Sequence, residues 1–260
     1  MIQVTSAQIT ALLASFVYPM VRILALVSTA PVLANRGIPR RIRLGLGLAL
    51  TLVIAPLAGP IPDVSPSSYE GLQILIQQII IGTAMGLAMS IAFTAIDAAG
   101  ELIGLQMGLG FAVFFDPQQG NNAPVIAQLM SLLAVLFFLA LNGHLLMIST
   151  LAHSFTVLPI GADMFGTHAA HNLVSQGGQI FAAGLTLALP VVSALLITNL
   201  ALGVLTRTAP QLNIFAVGFP ITLLLGFFML ALVLPYLTTP MEKLLTSGVS
   251  AALDMLVPPP

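Results

Sequence analysis

The chain has 260 residues and a formal net charge of −1, from seven Lys or Arg against eight Asp or Glu. Apolar residues make up 58% of it, charged residues 6%, and its mean hydropathy is +1.08. So little charge cannot cover so much apolar side chain in water, which excludes an ordinary soluble globule, and the missing basic excess argues against a nucleic-acid partner.

Cysteine is absent, so disulfides, thiolate metal sites and thiol catalysis are excluded. Trp is absent and Tyr occurs three times, which leaves a thin aromatic belt for two membrane interfaces. The expectation is an all-α membrane protein, read as a single domain over residues 1–260.

Six stretches are long and apolar enough to be predicted spans: 8–34, 43–60, 71–96, 126–151, 179–205 and 212–238. No Lys or Arg precedes Arg22, so the first stretch lacks the basic start of a cleaved signal and reads as a retained helix. Arg22 falls inside that stretch. An unpaired charge there is costly, so it is expected either in an inter-subunit salt bridge or snorkelling to an interface.

Arg36, Arg40, Arg41 and Arg43 form a basic loop between the first two spans, and Arg207 lies between the last two. The loops 61–70 and 152–178 carry no Lys or Arg. Basic loops stay cytoplasmic, so six crossings would place both termini outside. The four loop arginines are expected to set topology and to meet anionic headgroups, with docking of cytoplasmic components as the alternative. Residues 152–178 read as the longest loop.

The middle of the chain is unusual. Asp97 and Glu101 lie four apart and share a helix face, as do Gly100, Gly104 and Gly108. A stripe of small residues lets another helix approach closely. The carboxylates admit three readings: a proton relay, pairing with arginine on a neighbouring subunit, or placement at the cytoplasmic interface. Gly108-Leu109-Gly110 is expected to weaken the helix, and Asp116-Pro117 with the polar run to Asn122 to stop it. Between them lie Phe111, Phe114 and Phe115. An apolar tip on a polar-flanked loop suits a channel plug, and it also suits a re-entrant or interfacial segment that merely packs.

The tail 241–260 reads as an amphipathic helix with Met241, Leu244, Leu245, Val249, Ala252, Leu253 and Leu256 near one face, suited to an interface or a partner. His144, His153, His168 and His171 have no acidic or Cys partner at ligand spacing. No zinc-protease, nucleotide-binding or serine-nucleophile motif occurs, so neither catalytic residues, cofactor nor metal is expected. On the residues alone, a structural channel subunit competes with a six-span proton-coupled solute transporter using Asp97 and Glu101.

Four runs decide further. They are RILALVSTAPVLANRGIPRRIRLGLGLALTLVIAP from Arg22, GELIGLQMGLGFAVFFDPQ from Gly100, FFLALNGHLLMISTLAHSF from Phe137, and LALPVVSALLITNLALGVLTRTAPQLNIFAVGFP from Leu187. In order and spacing they resemble the FliR family of flagellar type III export-gate proteins, whose virulence counterpart is SctT. The resemblance implies a bacterial inner-membrane, multi-pass subunit at the flagellar basal body. It implies assembly with several copies each of FliP and FliQ into a helical export gate beside FlhA and FlhB. It also implies tilted helical hairpins with a broken middle helix, and unfolded flagellar subunits in transit. The family's middle loop maps to Gly110–Gly120 and implies Phe111, Phe114, Phe115, Asp116 and Pro117 as plug or constriction residues.

Overall fold

The computed structural model describes residues 6–35, 37–110, 124–161, 167–209 and 214–256. Seven α-helices occur among them. They are α1 (Ser6–Thr29), α2 (Arg40–Ile54), α3 (Tyr69–Gln106), α4 (Val125–Ala140), α5 (Gly143–Val157), α6 (Thr167–Thr208) and α7 (Ile214–Asp254). A 3-10 turn, Ala55–Leu57, extends α2. The all-α membrane architecture expected from composition is what forms.

Among the described residues all six apolar stretches are largely helical, but by length and composition fewer of them can cross a bilayer. Four helical segments are long and apolar enough: Thr10–Thr29, Tyr69–Gln106, His171–Thr208 and Val217–Asp254. Helix α2 has 15 residues, about 22 Å at 1.5 Å per residue, against a hydrocarbon core of about 30 Å. The stretch 126–151 is two helices, α4 and α5, bent by 69°. Asn142 makes the bend, with φ 55 and ψ 27. Asn tolerates this left-handed conformation better than other side-chain-bearing residues do. Against the six crossings that placed both termini outside, four helices among the described residues are long and apolar enough to cross, or five if the bent pair counts as one.

Helices also outrun their apolar cores. Residues 97–106 continue α3, and the expected long loop 152–178 is shortened from both sides by α5 and α6. Hydropathy reports which residues can face lipid, whereas helicity needs only satisfied backbone groups. Helix α7 continues to Asp254 with Pro220, Pro235 and Pro240 inside it, so the tail from Met241 is not a separate helix.

The chain divides into two compact units, Met1–Ile91 with Asn142–Gly177 and Leu245–Pro260, and Ala92–Leu141 with Gly178–Leu244. In the first unit α1 and α2 form an antiparallel hairpin. The Arg43 guanidinium donates to Ala34 O at 3.1 Å, and Gly47 packs on Leu24. Helix α1 runs parallel to the first part of α3: Gly82 abuts Arg22 and Ala25, and Gly86 abuts Thr29 and Ala30. The spacing from Gly82 to Gly86 places both glycines on one face, so two backbones meet where side chains would hold them apart. Leu245, Val249, Ala252 and Leu256 of the tail are buried in this unit.

In the second unit α3 and α4 are antiparallel. Phe93 meets Phe138 edge to face with centroids 5.4 Å apart, Asp97 hydrogen-bonds Ser131, and Gly100 abuts Ala127. Helix α6 joins through Gly184, which lies against Ala95 and Ala98. Helix α7 joins through Thr222, whose hydroxyl donates to Met107 O at 3.3 Å.

Candidate functional site

The most polar buried cluster is built around Arg22 in the first unit. Arg22 is fully buried. Its Nε donates to Gln78 Oε1 at 2.7 Å. Nη1 donates to Ser154 O at 3.0 Å and to Ser154 Oγ at 3.2 Å, and Nη2 donates to Leu158 O at 2.9 Å. The guanidinium carbon also sits 4.3 Å from the Phe155 ring centroid, a cation–π distance. Every partner is neutral. Two of the acceptors, Ser154 O and Leu158 O, stand at the C-terminal end of α5, the negative pole of its helix dipole.

This corrects the expectation for Arg22. It does not snorkel: it is fully buried, and four of its five N–H donors are bound to neutral groups inside the chain. It ties α1, α3 and α5 together. The side chains that hold it, Gln78, Ser154 and Phe155, escaped sequence reading. The available signal was Gln77-Gln78 in the middle of an apolar run, where a polar group needs a partner.

The second cluster is the α3–α4 seam. Asp97 is half-buried and bonded to Ser131, whereas Glu101, one turn on, is exposed. The two carboxylates differ in burial, yet Glu101 lies within electrostatic reach of Asp97. Three glycines expected to form one packing stripe have three different surroundings. A Cβ on Gly100 would lie 2.5 Å from Ala127 Cα, so this position requires glycine. At Gly104 the nearest atoms, on Ile126 and Pro124, would be 3.7 Å away, an ordinary contact. Gly108 ends the helix: its φ is 85, Leu109 N donates to Gly104 O at 3.0 Å and Gly108 N to Leu105 O at 3.0 Å. That pair of bonds is a Schellman stop, which favours glycine at the left-handed position. The helix thus stops at the glycine that the sequence expected only to weaken it, while the stop expected at Asp116-Pro117 lies outside the described residues.

Phe111, Phe114, Phe115, Asp116 and Pro117 lie outside the described residues, as does Arg36. Arg40 and Arg41 are exposed on the first turn of α2, while Arg43 turns inward. Arg207 is exposed in the last turn of α6, where a cation suits the helix dipole. Among the described residues no cluster of three His, Cys, Asp or Glu side chains could hold a metal.

Residues 13–248 match the model of the family described as bacterial export proteins, family 1. The chain is 52% identical over 241 residues to the flagellar biosynthetic protein FliR of Pectobacterium carotovorum subsp. carotovorum, covering 93% of this chain and 92% of the relative. It is 46% identical over 256 residues to the FliR of Escherichia coli (strain K12), covering 98% of each. It is 30% identical over 219 residues to the FliR of Bacillus subtilis (strain 168), covering 83% of this chain and 84% of the relative. Together with the four or five apolar spans, these matches show a multi-pass membrane protein of the FliR family of bacterial export proteins.

Proposed function

We propose that this chain is the FliR-type subunit of the flagellar type III export gate, in the inner membrane at the flagellar basal body. It assembles with several copies of FliP and of FliQ, next to FlhA and FlhB, into the channel that unfolded flagellar subunits cross. It carries out no chemical step; its work is to line, brace and close a channel. The observation that carries this reading is similarity along nearly the whole chain to proteins named flagellar biosynthetic protein FliR. Those names favour the flagellar branch over the virulence counterpart SctT.

The closing element is the segment Phe111–Pro117. Helix α3 stops at Gly108, so the chain leaves a rigid 38-residue helix and enters the aromatic run within three residues. A ring of apolar side chains excludes ions by dewetting while still yielding to a polypeptide. In support of assembly, α6 and α7 expose large apolar side chains such as Phe181, Ile197 and Leu224, which lipid or neighbouring subunits would cover.

The test is co-expression with the FliP-type and FliQ-type proteins of the same genome, with a tag on this chain alone, followed by native mass spectrometry in mild detergent. A defined complex containing both partners is expected. A stable lone monomer or homodimer that ignores them would overturn the reading and favour a self-contained transporter.

A further inference from the structure

We infer that the exposed face of α2 binds an anionic phospholipid, with its phosphate at Arg40 and Arg41 and its acyl chains along Leu44, Leu48 and Leu52. Four arginines stand between residues 36 and 43, and no Asp or Glu precedes Asp63. The chain therefore supplies no nearby carboxylate of its own along this segment. The structure divides the arginines. Arg43 donates to Ala34 O and Asn35 O, so it serves the α1–α2 hairpin. Arg40 and Arg41 point outward. They sit at the positive end of the helix dipole, with no acidic residue in the first turn. Two cations there repel the dipole and each other until an anion arrives.

The rest of the same face is apolar. Leu44, Leu48 and Leu52 follow Arg40 at four-residue intervals and are all exposed, Leu52 by 68%. Gly45 beside them has nothing within 4 Å of where a Cβ would stand. The neighbouring face, about a quarter-turn round the helix, is committed inward: Gly47, Thr51 and Ile54 are buried. A phosphate at one end and an aliphatic strip running from it match an anionic phospholipid, headgroup and tail together. The length agrees, since 15 residues extend about 22 Å, so arginines at headgroup level would carry the strip into the hydrocarbon without a second polar end.

The test uses the full-length protein in mild detergent, with bound lipid measured by native mass spectrometry. Phosphatidylglycerol is compared with phosphatidylcholine of the same acyl chains. Each arginine near an anionic surface contributes about fivefold, so the pair should give a preference on the order of 30-fold for phosphatidylglycerol. The double variant Arg40→Gln/Arg41→Gln should lose that preference and still take up both lipids weakly. Arg207→Gln, a charge loss on another helix, should keep it. Leu44→Asn/Leu48→Asn should weaken both lipids alike.

Equal uptake of the two lipids by the parent protein would overturn the assignment, as would an undiminished preference in the double arginine variant. Displacement of phosphatidylglycerol by inorganic phosphate, with no effect of the leucine changes, would reduce the site to a phosphate site and overturn it as a lipid site. The preference should persist when the chain is purified with its partner subunits. Its disappearance on assembly would mean that protein covers this face, and would overturn it too.

Discussion

Replacing Gly100 with alanine should destabilise the protein, whereas the same change at Gly104, four residues along α3, should not. The added methyl at Gly100 would start 2.5 Å from Ala127 Cα. Carbon atoms rest at about 3.5–4.0 Å, so α3 and α4 must part by roughly 1 Å, and the obstacle is backbone that no rotamer change can move. Overpacking of this kind costs about 1–3 kcal/mol. At Gly104 the methyl would meet Ile126 and Pro124 at 3.7 Å, and replacing a helical glycine with alanine contributes about 0.5–1 kcal/mol of stability. The two variants should therefore differ in sign.

The chain lacks Trp, so folded protein is best followed by size exclusion of a fluorescent fusion after heating in detergent. At about 2–4 °C per kcal/mol, Gly100→Ala should lose several degrees and Gly104→Ala should hold or gain a degree or two. Equal melting of the two variants would refute the close α3–α4 approach, because their chemistry is identical and only the neighbours differ.

Replacing Arg22 with Met should cost about 3 kcal/mol or more, since Gln78 Oε1, Ser154 Oγ and Leu158 O lose their donor and each orphaned buried acceptor costs about 1–3 kcal/mol. Arg22→Lys should fall between, because a point donor cannot span the same acceptors; a lysine variant that melts with the parent would contradict the hub geometry. At the α4–α5 bend, Asn142→Gly should be neutral and Asn142→Val should cost about 1 kcal/mol, from the positive φ that a β-branched residue resists; indifference to valine in the heating assay would mean the bend is not held there. In the gate reading, Phe114→Gly with Phe115→Gly should raise ion leak across cells expressing the full complex, and unchanged conductance would count against a plug at that segment.

Much of the fold was legible because apolar composition and helix stops are local properties. The six hydrophobic stretches, the small-residue spacing in α3 and the weak point at Gly108 all depend on residues within one or two turns. The number of crossings was not legible. Asn142-Gly143 inside an otherwise continuous apolar run looks like a weak interruption, yet the αL backbone at Asn142 turns the chain by 69°. The length of α6 was hidden for the opposite reason, since His171, Asn172 and Gln176 suit a solvated helix as well as a loop.

The candidate site divides along the same line. Sequence by itself determined that this is a membrane protein of few polar groups, that Arg22 must be compensated, and that α3 weakens at Gly108. Only tertiary structure decided how. Arg22 is answered by α3 and α5, more than 50 and 130 residues away, and by a helix end instead of a carboxylate. Asp97 and Glu101 share a helix and remain within electrostatic reach, yet Asp97 is half-buried against Ser131 of α4 while Glu101 is exposed. Gly100 and Gly104 are equivalent in sequence and differ only because Ala127 backbone lies against the first. A buried charge or a glycine announces a requirement locally, but its partner comes from whichever helix the packing brings within reach.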